Sequence, residues 1–188
     1  MSNFIYIATS IDGFIAENDG GIGWLEDIPN PDQSDFGFSD FLAKIDAIVM
    51  GRKTFEKVLT FKDWPYSHPV FVLSNSGLHV PDALIGKARV LAGRPREIVD
   101  TLAAQGYKNL YIDGGVTIQG FLKEDLIDEM IITTIPVLLG RGIPLFGSLP
   151  EKVKFSLDKS EILAGSMVKT YYRRRRGKET NNRKAKGK

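Results

Sequence analysis

The sequence predicts an α/β fold on a mixed, mainly parallel sheet, and three observations predict it. Short, almost continuously apolar runs such as "FIYIATS" (4–10) and "AIVM" (47–50) suit strands buried on both faces. Segments with helical spacing follow most of these runs, as parallel strands joined by crossover helices require. The chain then closes on "KFSLDKSEILAGSMVKTYYR" (154–173). This stretch alternates about a small-residue turn at Ala164–Ser166 and reads as an antiparallel hairpin at the sheet edge.

Taken in order, "FIYIATS" is the first strand, ending at Ala8–Ser10, and "DGFIAENDGGIG" (12–23) supplies turn residues in quantity. That glycine-rich stretch has two readings, a mobile flap anchored by Trp24 or a plain surface loop. "NPDQSDFGFS" (30–39) is a loop leading to a short helix, "SDFLAKI", for which Ser39 is the expected N-cap. "AIVM" is the second strand and "KTFEKVL" (53–59) a helix. "PVFVLS" (69–74) and "ARVLA" (88–92) are strands three and four. In "PREIVDTLAAQG" (95–106), Pro95 takes a first helical position and Gly106 terminates the helix. "NLYIDGG" (109–115) is a strand running into glycines, "VTIQGFLKE" (116–124) the helix behind it, and "EMIITTIPVLL" (129–139) a strand before the hairpin.

With 188 residues the chain is read as one domain with a sizeable core. Its net charge of +2 conceals an asymmetry. Residues 173–188 hold nine Lys or Arg and one acid, near +8. That leaves 16 bases against 22 acids in residues 1–172, near −6. The body is therefore not read as a nucleic-acid binder. The tail "RRRRGKETNNRKAKGK" has the composition of a disordered extension, and its functional reading is a weak, salt-sensitive contact with nucleic acid. The absence of cysteine excludes disulfides, thiolate metal sites and a thiol nucleophile, and two histidines are too few for a His-based metal site. No metal is expected. No signal peptide or membrane span is read, and a cytoplasmic location is the expectation.

Chemistry concentrates where strands end in glycine. In "AIVMGRKTFE" (47–56) a buried strand meets Gly51, two cations and Thr54, and a helix follows. Ligands in parallel α/β sheets sit beyond the carboxyl ends of strands. The glycine allows close backbone approach, the helix start favours an anion, and arginine grips phosphate with two parallel bonds. A solvated helix start is the competing reading of Arg52 and Lys53. "YIDGGVTIQGFL" (111–122) repeats the strand–glycine–helix pattern without being G-x-G-x-x-G. Two phosphate-capable turns in one small domain favour a dinucleotide.

Together "SIDGFIA", "IVMGRKTFE", "VFVLSNS", "IDGGVTIQGFL", "IITTIPVLLGRGIPLF" and the final hairpin resemble the dihydrofolate reductase superfamily, up to about residue 172. "SIDGFIA" and "GRGIPLF" are more typical of the bacterial branch containing the reductase domain of the bifunctional riboflavin-biosynthesis enzyme. The resemblance implies a dihydrofolate-reductase-like three-layer αβα domain over 1–172, with 173–188 as tail. It also implies NADPH-dependent hydride transfer to a pterin-like or pyrimidine-like heterocycle, dihydrofolate or a ribosylaminopyrimidine phosphate. Carried over by position, Gly51, Arg52, Lys53 and Thr54 hold the pyrophosphate and adenosine phosphate, with the cations favouring NADPH over NADH. Ser74 and Asn75 sit at the adenosine end. Gly114, Gly115, Val116, Thr117 and Ile118 wrap the pyrophosphate and nicotinamide side, and the family joins the glycine pair by a cis bond. Ala8 and Ile15 line the nicotinamide pocket, and Thr133 matches a position that helps to fix the substrate.

The pattern departs where the substrate is chosen. The nearest spacing match to the folate enzymes' carboxylate is Asp35, in a stretch unlike the folate helix, and a solvated loop acid is its competing reading. Asp12 is the alternative polar group, with turn formation competing. Arg141 is the candidate cation for a phosphorylated substrate. The alternatives to a reductase are a catalytically silent NADP(H)-binding sensor and a nucleic-acid-associated protein acting through its tail. A homodimer through the edge hairpin is a further expectation.

Overall fold

The computed structural model describes residues 1–28, 30 and 32–176. Along the chain it forms β1 (Ser2–Ser10), β2 (Phe14–Ala16), α1 (Phe38–Leu42), β3 (Ala47–Gly51), α2 (Arg52–Val58), β4 (Val70–Leu73) and β5 (Ala88–Leu91). Then come α3 (Pro95–Ala104), β6 (Asn109–Asp113), α4 (Gly115–Lys123), β7 (Glu129–Ile135), β8 (Ile143–Pro144), β9 (Phe155–Leu163) and β10 (Met167–Arg174). Eight strands make one sheet in the order β5-β4-β3-β6-β1-β7-β10-β9. The first six in that order are parallel, and the last two form the antiparallel hairpin.

The continuous apolar runs work as expected because the sheet is covered on both faces. In β3, Ala47 and Val49 enter one core with Ile98 and Leu102 of α3 and Ile118 and Phe121 of α4. Ile48 and Met50 enter the opposite core with Phe41 of α1 and Phe55 of α2. Side chains alternate across a strand, so one short segment feeds two cores and the result is a three-layer αβα domain. Each large aliphatic side chain buried this way contributes about 1.5–3 kcal/mol.

Helix ends follow local chemistry, with one correction. Pro95 opens α3, Glu97 reaches back to accept the Arg94 N–H at 2.9 Å, and Gly106 takes φ +93 just past the helix end. Ser39 is not the cap of α1. That helix starts at Phe38 behind Gly37, whose φ is +83. Phe36 and Gly37 both have positive φ, so the chain turns inward before Ser39. The Asp35 carboxylate then accepts the N–H groups of Gly37 (2.8 Å) and Ser39 (2.9 Å) and does the capping.

Two further features go beyond the sequence reading. The glycine-rich stretch after β1 contains β2, which pairs antiparallel with β8 in a separate two-stranded sheet. Trp24, 7 % exposed, clusters with Ile135 and Met167 and anchors this flap. At the other end, β10 continues to Arg174, so the boundary after 172 falls inside a strand. Arg174 grips Asp125 through two N–H···O bonds (2.6 and 3.0 Å), and Arg176 binds Asp128 and the Asp125 and Ile127 carbonyls. These arginines belong to the folded body because the loop before β7 presents carboxylates to them. The remaining tail, 177–188, lies outside the described residues. Among the described residues no helix is long and apolar enough to cross a membrane.

Candidate active site

The two glycine corners lie side by side. β3 and β6 are hydrogen-bonded neighbours with Met50 opposite Asp113, so Gly51 and Gly114 leave adjacent strand tips in the same direction. The corners interlock. A Cβ on Gly51 would stand 2.8 Å from Thr117 Oγ1, and a Cβ on Gly114 would collide with the Thr54 side chain. Gly114 also takes φ +88, a conformation that L side chains resist. Among the described residues no peptide bond is cis, so the Gly114–Gly115 link is trans.

Beyond these corners opens a cleft of about 1040 Å³, at the upper end of ligand sites. One end is formed by Gly51–Thr54 and Gly114–Thr117, with Ala8 from β1 and Ile15 from the flap. Tyr6, Phe38, Tyr66, Tyr111 and Asp113 form an aromatic region with one carboxylate. The Tyr6 and Phe38 rings are 5.3 Å apart, and Phe38 and Tyr111 6.3 Å. α2 runs along the cleft and adds Lys57 and Val58, with Phe61 just beyond it.

The other nominated residues lie off this lining. Ile118 is fully buried, one turn into α4, and packs the core beneath the corner. Ser74 and Asn75 stand in the turn after β4. Arg52 reaches that turn by donating to Ser76 Oγ (3.1 Å), and it also pairs with Glu56 (2.7 Å). Thr133 is buried in β7 between Ala8 and Lys169 in register. Asp12 accepts the Ser10 hydroxyl (2.6 Å) and the Leu139 and Gly140 N–H groups (3.1 and 2.7 Å). The Ser10 bond, then the Gly140 and Leu139 amides, hold its carboxyl below the ordinary range. Asp35, bonded to Ser39 and Gly37, is lowered to about 2. Both carboxylates thus tie loops together. Arg141 does not line the cleft but an adjoining depression with Glu17, which shares Asn18 and Asp19 with the cleft.

Asp113 is the residue the sequence reading missed. Burial raises its carboxyl from 3.8 to about 6, against the opposing pull of the Gly114 N–H (2.8 Å to Oδ1) and the neighbouring Tyr111 hydroxyl. The signal was the period of "NLYID": Leu110 and Ile112 face one core, so Tyr111 and Asp113 face the other side, at a strand tip. Lys169 was missed too. It is 3 % exposed, donates to Tyr6 Oη (2.9 Å) and Phe36 O (2.5 Å), and lies over the Tyr6 ring. Burial lowers its pKa. It holds the loop before α1 against the aromatic wall.

The RibD C-terminal domain family matches residues 4–169. The chain belongs to that family. The chain is 38 % identical over 176 residues to the uncharacterized protein YwjB of Bacillus subtilis (strain 168), covering 89 % of this chain and 95 % of that one. The crystal structure of a putative riboflavin biosynthesis protein from Shewanella sp. PV-4 superposes with a TM-score of 0.90 at 50 % identity, covering 94 % of this chain and all of that one. The fold also matches a Thermotoga maritima deaminase/5-amino-6-(5-phosphoribosylamino)uracil reductase (TM-score 0.71, 17 % identity, 92 % of this chain, 56 % of that one). Dihydrofolate reductase from Enterococcus faecalis, complexed with NADP(H), matches at TM-score 0.65 and 17 % identity, over 92 % and 96 % of the two chains. The family match thereby bears out the expected riboflavin-reductase branch, and the structural likeness bears out the dihydrofolate-reductase-like αβα fold.

The residues fit a dinucleotide phosphate bridge. Both corners lack a Cβ where one would fill the space against the facing threonine, and Arg52 and Lys53 stand at the first of them.

Proposed function

We propose that the protein is an NADPH-dependent reductase of a planar pterin-like or pyrimidine-like heterocycle. The observation that carries this reading is the interlocked pair of glycine corners in one cleft that also carries an aromatic wall. Gly51–Thr54 and Gly115–Thr117 would hold the diphosphate through backbone N–H groups and the threonine hydroxyls, while Gly114, whose own N–H is given to Asp113, would let the diphosphate approach by lacking a side chain. Arg52 and Lys53 would favour the extra phosphate of NADPH over NADH, with Ser74 and Asn75 flanking the adenosine end. Ala8 and Ile15 would shape the nicotinamide pocket. Bound NADPH supplies the hydride.

The chain's own part is positioning and a proton. Tyr6, Phe38 and Tyr111 offer flat apolar walls for a ring, and the flap excludes water over it. Reduction of a C=N or C=O bond puts hydride on carbon and a proton on the heteroatom. Asp113 is suited to deliver that proton, because a carboxyl raised to about 6 is still partly protonated near neutral pH. Its Oδ1 accepts the Gly114 N–H, so the neutral form carries its proton on Oδ2. We assign this role to Asp113 rather than Asp12 or Asp35, whose oxygens are committed to loop amides. Thr133 would act by supporting Ala8 in register.

The test is a titration with NADPH and NADH, followed by a screen of dihydrofolate and ribosylaminopyrimidine phosphate while nicotinamide absorbance is recorded. Tight NADPH binding with oxidation by one heterocycle is expected. Binding without oxidation by any heterocycle would mark a sensor, and absent NADPH binding would remove the assigned site.

A further inference from the structure

The cleft contains a cation that the dinucleotide does not need. Lys57 is half-buried and lines the cleft, and although its carbonyl accepts the Thr60 hydroxyl, its ammonium makes no hydrogen bond or ion pair among the described residues. Its neighbours on α2 are otherwise engaged: Arg52 pairs with Glu56 at 2.7 Å, and Thr54 packs on Gly114. Lys57 follows Lys53 by four residues, so it lies on the same helix face but one turn, about 5.4 Å, farther from the glycine corner. In that direction the lining continues with Val58 and Phe61, away from the phosphate-holding amides. Of the other cations near the cleft, Arg52 and Lys53 stand at the glycine corner, and two more are set apart by their surroundings. Arg141 shares its depression with Glu17 and Asp19, and Lys169 is sealed behind Tyr6 with its donors on Tyr6 and Phe36. Asp19, Glu56 and Asp113 also line the cleft, but none makes an ion pair with Lys57, and a lysine ammonium so placed is suited to an anion brought by the ligand.

We propose that Lys57 is the specificity-determining residue of the substrate end, and that it takes an anionic group, a carboxylate or a phosphate monoester, on the tail of the heterocyclic substrate. The inference rests on the reductase reading for what fills the rest of the cleft. It divides the labour of α2: the first turn serves the cofactor and the second selects the substrate. Aromatic walls bind the ring of charged and uncharged substrates alike, and Lys57 adds affinity only where the tail is charged. Because lysine acts as a point charge, a phosphate and a carboxylate share this chemistry.

The experiment compares the parent protein with Lys57→Met, which keeps the apolar stem, and Lys57→Arg, which keeps the charge. Binding is measured by calorimetry on NADP⁺-loaded protein, and turnover with NADPH. Two ligand pairs separate the anion sources: dihydrofolate against a tail-less dihydropterin, and a ribosylaminopyrimidine phosphate against its dephosphorylated riboside. Lys57→Met should weaken the charged member of at least one pair by about tenfold or more, since hydrogen bonds to charged groups contribute that much. It should leave the uncharged partner and the NADPH Kd within about twofold, with kcat nearly unchanged, and Lys57→Arg should restore most of the loss. The pair that responds identifies the anion. Equal weakening of charged and uncharged ligands, or a loss confined to NADPH affinity, overturns the proposal while the reductase reading stands. No heterocycle binding at all to protein that binds NADPH overturns both.

Discussion

Asp113→Asn separates two consequences of placing a carboxyl on the cleft wall. The carboxyl's pKa stands near 6 in the folded protein and near 3.8 when the chain is unfolded, with burial as the main cause. The folded protein therefore holds this proton more tightly than the unfolded chain does. Between pH 3.8 and about 6 the folded state binds more protons, so stability falls as pH rises through that window, and the full cost is present above it. At 1.36 kcal/mol per pH unit the difference amounts to about 3 kcal/mol, an upper value because the cleft leaves the side chain partly exposed. Asparagine keeps an oxygen for the Gly114 N–H but carries no charge at any pH. The apo variant should thus be more stable than the parent by up to about 3 kcal/mol near pH ~8 and equal to it near pH ~3.5. Urea denaturation of both proteins across that range measures the gap. The same change should lower kcat by about 10²–10⁴ through loss of the proton donor, and the parent's rate should decline above about pH 6. A variant with the parent's stability at every pH, or one that turns over as fast as the parent, would refute the assignment of Asp113 as a strained, proton-holding acid.

Other perturbations probe the corners, the flap and the core. Gly114→Ala forces a Cβ into Thr54 at φ +88, and should cost at least about 1–2 kcal/mol and abolish NADPH binding, read by denaturation and fluorescence titration. Gly115→Ala would bring its methyl to 3.0 Å from Ile15 Cδ1 and 3.2 Å from the Pro144 carbonyl, lifting the flap. Faster amide exchange at Phe14–Ala16 with a raised KM for NADPH is the expected result. Arg52→Gln should weaken NADPH by about tenfold and leave NADH nearly unaffected, since only one of them carries the extra phosphate. Phe55→Ala removes a fully buried ring that meets Trp64 edge-on at 6.0 Å, and should cost about 3–5 kcal/mol in urea unfolding.

The two fold-defining signals were legible because they are local. Apolar runs without alternation mark strands covered on both faces, and "NLYIDGG" and "AIVMGRKT" each carry strand, corner and helix start within eight residues or fewer. The capping of α1 was misread because Ser39 is a good cap by type, and nothing local reveals that Phe36 and Gly37 turn the chain so that Asp35 arrives first. The flap's strand β2 was illegible for a different reason: its partner β8 is more than 120 residues away, and three residues have no pattern of their own. The basic tail looked uniform, yet its first arginines are held by Asp125 and Asp128, whose placement depends on the turn before β7.

By itself, the sequence determined the sheet's character, the helix order and the two glycine corners, because hydrophobic period and glycine placement act over a few residues. Tertiary structure alone decided that the corners interlock, and that Asp113 and Lys57 face the cleft while Asp12, Asp35 and Arg141 do not. Those outcomes depend on which strand tips become neighbours in the sheet, and therefore on which side chains are removed from water together.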